Sequence, residues 1–210
     1  MAISYPLATP TSIGIESIEL RAVSAVATSQ SPFTFKQQVI AHTGQKWEAS
    51  ITIPPVHKDL AEPWVSMLTA LKGPVGTFLL GDPNGSTPQG TASLGAGTPK
   101  VNGNQTPSDT INLRGLPLNR ANFLIAGDYV QFGFGASSTL HKVLTTVTTS
   151  ATGTVSLDIW PSTRRTLADD EVVTLINAKG LFRLASATTS WKINQSSTYG
   201  ISFDAVEVIN

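Results

Sequence analysis

Lys46-Trp47-Glu48-Ala49-Ser50-Ile51-Thr52-Ile53 alternates without a fault, with Trp47, Ala49, Ile51 and Ile53 on one face and Glu48, Ser50 and Thr52 on the other. Successive side chains of an extended chain point to opposite sides, so a period of two predicts a strand with one buried face. Upstream, 33–41 reads as a second strand. His42-Thr43-Gly44-Gln45 then reads as the turn of a hairpin between the two. Before it, 12–27 reads as a further strand carrying Ile13, Ile15, Ile18, Leu20, Val23 and Val26, with a phase slip near Ser17 assigned to a bulge. Downstream, Pro54-Pro55 reads as the strand's end, because neither residue can donate to a ladder.

The period then changes. Leu60, Trp64, Met67, Leu68 and Leu71 recur at three- and four-residue spacing, which predicts one buried helical face. Asp59 is the expected N-cap with Glu62 three residues on, Pro63 is expected near the first turn, and Gly73-Pro74 is the expected stop. A short apolar strand, 76–80, contains Phe78 and ends in the turn Gly81-Asp82-Pro83-Asn84-Gly85.

From Ser86 to about residue 110 the chain is rich in Gly, Thr, Pro, Asn and Gln. Short strand patterns return at 111–113, 129–132, 140–147, 154–159 and 172–176, spaced as in a small barrel or sandwich. The last stretch resembles the first, with strands at 182–184, at 191–193 and at 201–208, where Ile201, Phe203, Ala205 and Glu207 share a side. A terminal strand needs a sheet to join. The expected fold is therefore mainly β: a β-sandwich with one flanking helix from residues 1–81 and 181–210, and an inserted small β-barrel or sandwich from residues 82–180. Its expected structural core includes Trp47, Trp64, Leu68, Leu71, Phe78 and Phe203.

Composition narrows the function. Only 13% of the 210 residues are charged, against about 25% in typical domains, and 26 Thr and 21 Ser make up the polarity. Fourteen basic and fourteen acidic side chains give no net charge, which argues against a basic nucleic-acid or membrane-surface reader. There is no cysteine, hence no disulfide, thiolate metal site or cysteine nucleophile. No apolar run reaches the ~18 residues of a spanning helix, and MAISYPLATPTS has neither the basic start nor the apolar stretch of a secretory signal. A surface this poor in charge is open to association.

Motifs for chemistry are absent or weak. His42, His57 and His141 lie far apart and in no metal-binding spacing. Gly133 and Gly135 lack the third glycine of a dinucleotide loop, and no phosphate loop or nucleophile elbow occurs. Asp169-Asp170-Glu171 lacks calcium-loop spacing, and an Asx turn accounts for Asp82. Asn104-Gln105-Thr106 and Asn194-Gln195-Ser196 match a glycosylation pattern by chance. Of the four tryptophans, Trp47 and Trp64 read as core, whereas Trp160, before Pro161, is a candidate glycan contact. No catalytic, cofactor-binding or metal residue is assigned, and the chain is not expected to be an enzyme.

The order of anchors carries more than any one of them. Ser31-Pro32-Phe33, Gly44, Trp47 and Ile53-Pro54-Pro55 are followed by Pro63-Trp64, Leu68 with Leu71, Gly73, and Gly76-Thr77-Phe78-Leu79-Leu80-Gly81-Asp82-Pro83. Farther on come 126–133, His141-Lys142-Val143, Ile159-Trp160-Pro161 with Arg164-Arg165, and Phe182-Arg183-Leu184. This series resembles the distal tail proteins of long-tailed, non-contractile bacteriophages over most of residues 20–210. The resemblance implies a homo-hexameric ring at the virion's tail tip, made in the host cytoplasm. The tail tube protein would sit above it, and the tip hub, with fibres or receptor-binding proteins, below. Genome DNA would pass through without specific binding, with no membrane insertion and no cofactor. The alternative is a carbohydrate-binding β-module for host adsorption.

Overall fold

A computed structural model describes residues 3–209. In chain order the elements are β1 (Ser17–Gln30), β2 (Gln37–His57), helix α1 (Lys58–Ala70), β3 (Phe78–Leu80), β4 (Lys100–Val101), β5 (Thr110–Arg114), β6 (Tyr129–Phe132) and β7 (Thr139–Val143). Then follow β8 (Val155–Trp160), β9 (Val173–Thr174), β10 (Gly180–Leu184), β11 (Trp191–Ile193) and β12 (Thr198–Glu207). The described residues are mainly β, with two six-stranded sheets and one α-helix among them.

The first sheet takes strands from both ends of the sequence, in the order β1-β2-β12-β10-β3, with β11 paired to β12. Its inner face is the run that opened the sequence reading. Trp47, Ala49, Ile51 and Ile53 of β2 are buried beside Ile201 and Ala205 of β12. Helix α1 covers this face with Ala61, Trp64, Val65, Met67 and Leu68, all buried, and Leu71 caps its end. Phe78 is fully buried, and half-buried Phe203 lies 6.1 Å from the Trp64 ring and 6.2 Å from that of Phe78. Each such side chain withdrawn from water contributes roughly 1.5–3 kcal/mol.

The second sheet runs β4-β5-β8-β7-β6-β9 and all but closes. Val173 N–H donates to the Pro99 carbonyl and Val101 N–H to that of Glu171, so β4 meets the β9 side. Its own core holds Ile111, Leu113, Phe123, Phe132, Leu157 and Ile159. The texture change at Ser86 marks the approach to this barrel-like sheet, although β4 itself lies in a stretch the sequence left without a strand.

Four local expectations are corrected. The first and largest concerns the hairpin. Residues 37–57 form one uninterrupted strand, and no turn interrupts it at His42–Gln45. The hairpin is instead β1–β2, closed at Ser31–Lys36, where Ser31 N–H donates to the Lys36 carbonyl at 3.0 Å and Phe35 N–H to that of Ser31 at 2.9 Å. Second, β1 begins at Ser17, and its register shift falls between Ser24 and Val26, opposite Gly44.

Third, β2 passes through Pro54-Pro55 to His57. The prolines are tolerated because β1 starts opposite Thr52, leaving that edge free, while the ladder to β12 slips between Tyr199 and Ile201. Fourth, the helix starts at Lys58 with no side-chain cap, so Asp59 lies within its first turn and Leu60 stays 39% exposed. Pro63 consequently falls in the second turn. The carbonyl it leaves without a helical donor is that of Asp59, at the exposed start of the helix where water can serve it.

Candidate functional site

Three places in the structure bear on function, and sequence reading singled out the side chains of the first two. The first is the junction between the sheets. Trp47 Nε1 donates to the Leu140 carbonyl on β7 at 3.0 Å, and the Trp160 ring stands edge-on to Trp47 with centroids 4.6 Å apart. Half-buried Trp160 therefore packs between the two sheets, away from the role of an open stacking platform for a sugar.

Beside it, Glu207 lies with its side chain 1% exposed. Arg164 Nη1 and Nη2 donate to its two oxygens at 2.9 and 2.8 Å, and Trp47 N–H donates to Oε2 at 2.9 Å. Arg164 also donates to the Gln45 carbonyl, and Ser162 N–H to Gln45 Oε1. A two-pronged guanidinium pair with its remaining lone pairs satisfied is the arrangement in which a buried carboxylate is tolerated. A cavity of about 210 Å³ beside this junction is lined by Ser138, Thr163, Arg164, Arg165, Leu167 and Leu181 among others. Its two guanidinium groups are committed, to Glu207 and to Glu171.

His141 is buried at the same junction, with Nδ1 2.6 Å from the Pro161 carbonyl and Nε2 2.9 Å from Thr139 Oγ1. Burial pushes its pKa down to about 4, so it is neutral and structural at pH 7. Burial, with Asp82 nearby, also raises the Tyr129 hydroxyl to about 12. His42 and His57 lie exposed on β2, and among the described residues no group of three His, Asp or Glu side chains could hold a metal. Buried Asp128 is explained locally, since its carboxylate accepts the N–H groups of Gln89, Gly90 and Ile125.

The second place is the acidic run. Asp169 and Asp170 pair with Arg114 at 2.9 and 3.0 Å, Asp170 also with Lys100 at 3.3 Å, and Glu171 with Arg165. Hydrogen bonds from Lys100 and Arg114 hold Asp170 below the usual carboxylate range, and Arg165 does so for Glu171. All three acids of the run are thus paired with cationic side chains. At Asp82 the Asx turn is present, with Asn84 N–H donating to Oδ1 at 2.9 Å.

The third place is one that sequence reading did not single out. Beyond Val23 and Gln45 the β1–β2 hairpin leaves the body of the molecule. Every residue from Ser24 to Gly44 is exposed except Ser31, on both faces of the ribbon. Phe33 is 91% exposed and Phe35 72%, and Val26, Val39 and Ile40 are each exposed by half or more. Phe35 takes the left-handed conformation, φ 56°, which bulky residues rarely adopt. Between Arg21 and Lys46 the only charged residue is Lys36. A signal for this arm existed. Val39, Ala41, Thr43, Gln45 and Trp47 keep one phase, which leaves no room for a turn.

No protein-family model matches the chain, and no curated protein aligns with it.

Proposed function

We propose that this chain is a non-catalytic structural subunit that assembles into a six-fold ring at the tip of a phage tail, as a distal tail protein does. The observation that carries the reading is the arm. A two-stranded ribbon exposed on both faces buries nothing of its own, and isolated hairpins are marginal in water. An edge strand running Ala22 to Gln30 without lysine or proline lacks the usual protection against pairing. Such an element is consistent with a subunit whose neighbours complete it.

The order of sequence anchors supports the tail-tip assignment, with the tail tube above, the tip hub below, and fibres or receptor-binding proteins attached. Ring contacts belong to residues 1–81 and 181–210, and residues 82–180 form the peripheral part. The outward face of the first sheet favours a conduit that does not hold DNA. Its Lys46 lies 2.9 Å and Arg21 3.8 Å from Glu48, whose pKa the Lys46 hydrogen bond lowers, so these cations are occupied. No described helix is long and apolar enough to cross a membrane.

Negative-stain images of the purified chain test the reading. Closed rings of six with an open centre are expected. Monomers at all concentrations, or two-fold dimers only, would overturn it.

A further inference from the structure

The arm leaves the body where the sheet stops guiding it. The ladder between β2 and β12 ends at the pair Glu48–Val206, so beyond Glu48 β2 has β1 as its only strand partner. The β1–β2 register then shifts. Ser24 faces Gln45 and Val26 faces Ala41, which leaves Ala25 alone opposite His42, Thr43 and Gly44. Extra residues on one strand bend a ladder and increase its twist. A bare two-stranded ribbon is marginal in water, so a bend in one needs outside support to keep a single direction.

That support is present at the root. Trp47 N–H donates to Glu207 Oε2 at 2.9 Å, and the Gln45 carbonyl accepts from Arg164 Nη2 at 2.6 Å. Two residues apart on an extended strand, these backbone groups share one edge, the edge that β12 pairs with lower down. Side chains therefore continue the ladder where β12 ends. Arg164 and Glu207 grip each other through two parallel bonds, at 2.9 and 2.8 Å, so the two contacts act as a unit. Gln45 is held a second time, since Ser162 N–H and Oγ donate to its Oε1 at 2.7 and 3.2 Å. Past this point nothing else holds the ribbon. Among the described residues, every hydrogen bond of Ala25–Gly44 runs within the arm.

We infer that Ser162, Arg164 and Glu207 form a clamp that sets the direction in which the arm leaves the body. Ser162 and Arg164 follow β8, so a segment of the second sheet governs the exposed ribbon of the first. The inference goes beyond the ring reading and holds for a monomer as for a ring. A buried ion pair adds little stability over apolar residues of the same size, whereas a planar fork fixes geometry. Fixing the geometry of an otherwise unsupported bend is the task at this root.

The chain has no cysteine, so introduced pairs can be spin-labelled selectively. Thr28→Cys lies on the arm, Ser66→Cys on the outer face of α1 and Ser156→Cys on β8, all at exposed positions. Pulsed electron resonance on labelled chains diluted in unlabelled ones reads distances within one chain. The Thr28–Ser66 pair reports the arm's direction, and the Ser66–Ser156 pair reports how the two sheets sit together. Gln45→Ala removes the acceptor for Ser162. Arg164→Met with Glu207→Gln releases the Gln45 carbonyl without stranding a charge. The Thr28–Ser66 distance distribution should be narrow in the parent and at least double its width in both variants, with Ser66–Ser156 unchanged. A distribution as narrow in the variants as in the parent would overturn the clamp, because the ladder alone would then set the direction. So would one already as broad in the parent. Equal broadening of the Ser66–Ser156 pair would reduce the group to a joint between sheets and overturn it too. Should the double variant fail to fold, Gln45→Ala, which touches no charged group, decides alone.

Discussion

The two halves of the β1–β2 hairpin share one ladder and differ in everything else. In the body half, Ser17–Val23 against Lys46–Thr52, alternate residues of β2 are fully buried under α1 and the outward residues carry paired charges. In the arm half, Ser24–Gln30 against Gln37–Gln45, the same antiparallel pairing continues with no layer on either side. Backbone hydrogen bonds are common to both, so they do not distinguish a core from an arm. Burial does. The ladder fixes which residues share a face, and a second layer decides whether that face is stable alone.

Changes in the body half should be severe. Trp64→Ala opens a large void beneath the sheet and is expected to cost about 3–5 kcal/mol, measured by denaturant unfolding. An unchanged midpoint would mean that α1 does not hold this face. Glu207→Leu strands Arg164 at the sheet junction and leaves Trp47 N–H unpaired. Breaking a buried pair from one side typically costs about 3–5 kcal/mol, and the loss should exceed that of Glu207→Gln, which keeps acceptors in place.

A pH series separates junction from arm more gently. His141 has its folded pKa lowered to about 4 against 6.5 in the unfolded chain. Between those values the unfolded state binds the extra proton, so stability is full above pH 6.5 and falls as the pH drops toward 4. The loss should reach about 3 kcal/mol, by the conversion of 1.36 kcal/mol per unit. His141→Asn should flatten the curve within that window. Below it, the lowered carboxylates Asp170 and Glu171 add their own acid loss in both proteins. A wild-type curve already flat from pH 7 to 4.5 would mean that the junction is open to water.

The smallest effect on stability belongs to the arm. Val39→Ser or Ile40→Ser should change the unfolding free energy by less than about 0.5 kcal/mol, as for surface positions generally, while reducing assembly. A loss of several kcal/mol would place these side chains in a core and dissolve the contrast.

The body half was legible because its pattern and its packing agree. Trp47, Ala49, Ile51 and Ile53 alternate and are buried, and Trp64, Leu68 and Leu71 recur at helical spacing beneath them. The terminal strand's side with Ile201, Ala205 and Glu207 was legible too. Its buried carboxylate became intelligible only with Arg164, 43 residues away in sequence. The arm was misread for a physical reason. Gly44 and His42 look like turn formers, yet Gly44 serves the close approach of Ala25, whose Cβ would lie 3.1 Å from any Cβ placed there. Exposure on both faces weakens the apolar periodicity, since no partner within the chain selects a face, and the phase kept from Val39 to Trp47 is the one cue that remains. The barrel-like sheet's closure through β4 was also hidden, because two residues, Lys100 and Val101, are too short a run to show a period.

The most direct test replaces Ala25–Gly44 by Asn-Gly, which lets Ser24 turn directly into Gln45 through a two-residue hairpin loop. Native mass spectrometry then compares it with the full chain at equal concentration. The account predicts hexamers from the full chain, monomers from the shortened one, and melting temperatures that agree within about 2 °C, since the arm contributes little to the core. A shortened chain that still assembles into the same hexamer would contradict it.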